Sequence, residues 1–180
     1  VTKTESISTG IPGVEFRLPD LRPIVVNEEL ANQTAQSGEA GDRVVALIAQ
    51  GRLAAASELV ADARLMDPAN IRLRLLDTEV SRWSGDPERA IYRLQQLRKE
   101  FDGTADEVDI VQNLGACFYS VGDMLAAASR YKAALEGRKQ FNFSEVLLKA
   151  SRAAYESVLE EVNGPSEEIQ VSVLTDASNP

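Results

Sequence analysis

Few kinds of side chain in this sequence could do chemistry. Histidine is absent, and a single cysteine, Cys117, stands among 180 residues. Without imidazole, Ser-His-Asp and Cys-His nucleophiles, His-ligated zinc and the commonest general base are all excluded. One thiol supports neither an internal disulfide nor a multi-cysteine metal cage. In the run from Leu114 to Tyr119, Cys117 reads as a small packing residue rather than a nucleophile. Carboxylates are plentiful, but no spacing marks a pair for acid–base work. Helix surfaces account for charges such as Glu58 and Asp62 beside Arg52 and Arg64. The stretch Thr9-Gly10-Ile11-Pro12-Gly13 lacks the lysine and spacing of a phosphate-binding loop. No enzymatic activity, cofactor or metal is therefore expected.

The 28 acidic residues outnumber the 19 basic ones, giving a net charge of −9. Affinity for a phosphate backbone comes mostly from Lys and Arg, so nucleic acid is not an expected partner. A hydrophobic fraction of 44% with 26% charged residues is that of a folded chain. The longest uncharged run, residues 110–122, is too short and polar to span a bilayer, so no membrane partner is expected. The first thirty residues hold no apolar run of secretory type, which points to a cytoplasmic protein.

The elements that position these side chains repeat. Gly51, Gly85 and Gly122 open three similar segments, 34 and then 37 residues apart. Ala56, Ala90 and Ala127 keep those intervals, as do Val60, Leu94 and Tyr131, and then Ala63, Leu97 and Ala134. Each unit reads as a helix, a glycine turn and a second helix, with those three positions forming the buried stripe of the second helix. In the third unit Val111, Leu114, Gly115 and Phe118 lie at helical spacing, and Gly115 leaves room for a neighbouring helix. In the second unit Arg74, Asp77, Thr78 and Ser81 stand where the apolar face should be. Leu73, Leu76, Val80 and Trp83 are periodic one residue earlier, as if the register slips at the turn. Trp83 is either a core residue or an exposed anchor.

Val111, Leu114, Gly115, Phe118, Ala127, Tyr131 and Ala134 resemble the pattern of the tetratricopeptide repeat family, over about residues 39–138. The resemblance implies an all-α fold: antiparallel helix hairpins stacked as a right-handed solenoid. Residues 39–163 would form the repeat domain. Its last helix, residues 146–162 after Ser144, would cap the array with Val146, Leu147, Ala150, Ala154, Val158 and Leu159 turned inward. Residues 1–38 would be an extended segment with a short helix from Glu28 to Ala35, capped by Asn27. Residues 164–180 would be an acidic tail. Val14, Phe16 and Leu18 alternate with charges, as do Ile169, Val171 and Val173 among polar residues. Either segment is expected as a loosely held tail, as a strand docked on the helices, or as one half of a two-stranded ribbon.

In that family the first helices of the repeats line a concave, partner-binding face. Carried over, it comprises Arg72, Leu75, Glu79 and Arg82 from the second unit. Asp109, Gln112, Asn113, Ala116, Tyr119 and Ser120 come from the third. A register slip would substitute Arg74, Thr78 and Ser81, with Arg82 near the groove either way. Asp109 and Asn113 stand where the family's carboxylate clamp has Lys and Arg, which argues against that ligand class. Residues 71–100 carry seven basic groups against five acidic ones, so an acidic partner segment is one expectation. The function implied is a protein-interaction adaptor or co-chaperone-like scaffold. The alternative is a structural module that forms homo-oligomers through repeat ends or exchanged termini.

Overall fold

The computed structural model describes residues 5–164. Three short strands come first: β1 (Ser6–Ser8), β2 (Val14–Arg17) and β3 (Arg22–Val25). Eight helices follow: α1 (Glu28–Ser37), α2 (Ala40–Ala49), α3 (Leu53–Met66), α4 (Ile71–Trp83), α5 (Pro87–Glu100), α6 (Ala105–Ser120), α7 (Met124–Gln140) and α8 (Glu145–Asn163). The body is helical, as expected, and the sheet is an addition to it.

Each helix packs on the next, and α2 also meets α4, as α4 meets α6. The turns after α2, α4 and α6 carry Gly51, Gly85 and Gly122 at φ of 72°, 92° and 81°, a left-handed conformation that an L side chain resists. Side-chain caps open several helices, with Asn27, Asn70, Asp86 and Asp123 each accepting an early backbone N–H. Asp86 precedes Pro87, whose missing donor costs nothing in the first turn. The repeating stripe is buried nearly throughout: Ala56, Ala90 and Ala127 are at 0% exposure, as are Leu94, Tyr131 and Ala134. Only Ala63 stays half-exposed. At Gly115 an added Cβ would lie 2.7 Å from the Tyr131 ring, so only glycine lets α6 and α7 come this close.

The N-terminal segment is not a loose tail. Its strands form an antiparallel sheet in the order β1-β2-β3, with Ile7 opposite Phe16 and Phe16 opposite Pro23. Cross-strand partners share a face, so Ile7, Phe16 and Pro23 lie together on one side. Val14 and Phe16 pack with α1, α2 and α4, while Leu18 and Leu21 reach the cluster around Tyr131, Ala154 and Val158. Apolar alternation needs a surface to cover, and the first helices supply it. The expected strand at residues 169–173 lies outside the described residues.

Helix α8, the expected cap, buries Ser151, Ala154 and Val158. Val146 and Leu147, expected inward, are 64% and 40% exposed.

Candidate functional site

Residues from α4 and α6 face one cleft of about 320 Å³. Arg72, Leu75 and Glu79 of α4 and Asp109, Gln112 and Asn113 of α6 line it, at the three- and four-residue intervals that put side chains on one helical face. Phe16 and Pro23 of the sheet form the opposite wall. Val45 and Ile48 of α2 close one end, and Arg138 of α7 and Leu147 of α8 border the other. Six of the ten residues expected on the partner-binding face are thus neighbours in a single cavity.

Of the other four, Arg82 and Ala116 are buried and Tyr119 is half-buried, while Ser120 stays exposed. Arg82 is 3% exposed. Its guanidinium donates to the Asp20 carbonyl at 2.7 Å, to the Ala116 carbonyl at 3.3 Å and to Glu79 Oε2 at 2.5 Å. Ser120 Oγ lies at 3.4 Å from the same group. Asp20 is held by Arg17 and accepts the Arg22 backbone N–H, which fixes the β2–β3 loop over these helices. Tyr119 donates to the Glu161 carboxylate of α8 at 2.9 Å. Burial, together with Glu161, pushes its pKa up to about 12. The expectation that Arg82 stays at an open groove is therefore corrected. The N-terminal loop occupies that half of the face, and the cleft is the half it leaves open.

The alternative register does not reach the cleft. Arg74 makes two hydrogen bonds to Glu100 at 2.8 and 2.5 Å, and Thr78 is fully buried. Asp77 receives both Arg64 of α3 and Arg93 of α5, the latter also approaching Ser81. Arg74, Asp77 and Ser81 thus interrupt the apolar pattern because they join α4 to α3 and α5 by polar contacts. Trp83 is half-buried against the first core cluster, with the Arg82 and Arg22 guanidinium carbons 4.2 and 5.0 Å from its ring centre.

Charge in and around the cleft is internally matched. Arg72 meets Asp42 at 2.5 Å and Glu39 at 3.3 Å. Arg138 meets Asp109 at 2.9 Å, and Ser151 donates to the Gln112 side-chain oxygen at 2.9 Å. Burial raises the Asp109 pKa despite the attraction of Arg138, and burial lowers that of Arg138. Two groups are not fully satisfied: Glu79 Oε1 and the Nε and Nη1 of Arg138 are buried without a hydrogen-bond partner. Cys117 is fully buried behind α4, and burial pushes its thiol up to about 12, with the Glu79 carboxylate adding to the effect. It is not presented as a nucleophile.

Phe16, Pro23, Val45, Ile48, Arg138 and Leu147 were not among the expected contacts. The alternation Val14, Phe16, Leu18 was the available signal for the sheet wall. Arg138 and Leu147 read in sequence as an ordinary helix-end charge and a core residue, and nothing local marks them as lining a cavity.

Comparison with protein-family models, curated proteins and solved structures finds no match for this chain. Among the described residues, no helix is long and apolar enough to cross a membrane.

Proposed function

We propose that this chain is a protein-interaction scaffold whose helical pairs stack in the tetratricopeptide manner, as a right-handed solenoid, and hold an extended segment of a partner protein. The observation that carries the proposal is the cleft itself, where α4, α6 and the N-terminal sheet converge with polar and apolar groups side by side. An apolar side chain of the partner packs on Val45, Ile48, Leu76 and Phe16. A donor-bearing side chain of the partner meets Glu79 Oε1, which has no partner of its own. An acceptor group meets the unpartnered Nε and Nη1 of Arg138, while Arg72 is already engaged by Asp42 and Glu39.

Selection of peptides from a displayed library on the intact chain, followed by fluorescence polarisation, tests this. Asn113→Trp, which fills the cleft, and Leu147→Glu, which charges its rim, are expected to weaken a selected peptide by about tenfold or more. Melting temperatures should stay unchanged. Equal affinity in both variants, or no enrichment of any peptide, overturns the proposal.

Self-association is the second reading. It is favoured by Leu65 and Met66 at the end of α3, which are 80% and 88% exposed. Light scattering over a concentration series distinguishes it, since a scaffold without its partner keeps a constant mass.

A further inference from the structure

A second cavity, of about 470 Å³, opens away from the cleft between α5, α6 and α7. Its charge is opposite to that of the chain. Arg98, Lys99 and Arg130 line it against one carboxylate, Asp102, in a protein whose net charge is −9. Lys99 and Arg130 make no ion pair among the described residues, and Arg98 engages Glu107 only through Nε, at 2.8 Å. Arg130 Nε is buried without an acceptor. Leu114, 1% exposed, and the half-buried Phe118 supply apolar surface between the cations.

Three cations held around apolar surface are poorly placed for stability, since like charges repel and only Arg98 is paired, with Glu107. They are well placed for an anion joined to a hydrophobic body. Arginine offers paired donors to phosphate or carboxylate oxygens, lysine adds a point charge, and Phe118 takes the face of a ring. The volume is that of a small-molecule site rather than of a folded partner's surface.

We infer that the pocket between α5, α6 and α7 is a binding site for a small anionic ligand, a phosphate or carboxylate carried on an aromatic or aliphatic group. The anion lies among Arg98, Lys99 and Arg130, with the apolar part over Phe118 and Leu114. The site is independent of the cleft, and neither requires the other.

The test is a titration of the full chain with phenyl phosphate, followed by backbone amide NMR, with benzyl alcohol and inorganic phosphate as controls. Saturable shifts confined to the C-terminal half of α5, the C-terminal half of α6 and the first half of α7 are expected. Phenyl phosphate should bind more tightly than either control. Lys99→Gln and Arg130→Gln, each changing a side chain that is not fully buried, should each weaken it by about fivefold to tenfold. A parallel titration with a phosphotyrosine pentapeptide identifies the source of the anion. Tighter binding than phenyl phosphate assigns it to a peptide side chain, and weaker binding to a free small molecule; both support the site. Non-saturable shifts, shifts spread over the surface, or equal affinity in wild type and both variants overturn the assignment.

Discussion

The Tyr131 hydroxyl donates to the Pro19 carbonyl at 2.7 Å, joining the middle of α7 to the β2–β3 loop across 112 positions of sequence. Tyr131 is fully buried, and burial holds its pKa well above the ordinary tyrosine value, so it remains a donor at every working pH. Tyr131→Phe keeps the ring against Gly115 and leaves the carbonyl unmet. The expected loss is about 1–2 kcal/mol in urea unfolding. Amide exchange should quicken in β2 and β3 before it does in α5.

Arg82 and Glu79 form a buried pair beneath the same loop. Burial is the largest influence on Arg82 and acts to lower its pKa. The attraction and hydrogen bond of Glu79 help to hold the value above the ordinary one, so the guanidinium stays charged. Arg82→Ala strands a buried carboxylate and leaves the Asp20 carbonyl without its donor. It should cost about 3–5 kcal/mol. Adding Glu79→Gln should recover part of that loss, since the stranded charge is gone. A double mutant no more stable than Arg82→Ala would place the cost in packing instead.

Gly115→Ala puts a methyl group against the Tyr131 ring at a distance that real side chains do not tolerate. Either the ring or α6 must move, at about 1–3 kcal/mol. The same change at Gly103, where nothing lies within 4 Å but φ is +75°, tests backbone conformation alone. Its expected cost is about 1 kcal/mol. Thermal melts of the two variants separate close packing from backbone preference.

Cys117 should resist modification by a water-soluble disulfide reagent at neutral pH and react promptly in denaturant. With its folded pKa pushed up to about 12, the fold disfavours the thiolate. The unfolded chain releases that proton first, so stability is complete at neutral pH and falls as pH rises above about 9. Cys117→Ser should remove the part of that decline that begins near pH 9, while the raised Tyr119 and Tyr131 keep a decline above about pH 10, as read from chemical denaturation across a pH series.

The helices and their faces were legible because each is set by local rules. Periodicity named the stripe of Ala127, Tyr131 and Ala134, Gly122 ended α6, and Asn27 opened α1. Arg72, Glu79, Asp109 and Asn113 could be placed on common faces for the same reason. Their cavity could not be seen, because its other wall comes from Phe16 and Pro23, distant in sequence. Nor could the covering of Arg82, whose partners lie 62 and 34 positions away.

By itself the sequence determined that the body is helical, most of the stripe that α3, α5 and α7 bury, and which chemistries are excluded by the missing histidine and lone cysteine. These follow from covalent identity and near-neighbour spacing. Only the tertiary structure decided which half of the face is open and which charges remain to meet a partner. Hydrogen bonds and ion pairs are satisfied in space, and the groups that satisfy them are drawn from anywhere along the chain.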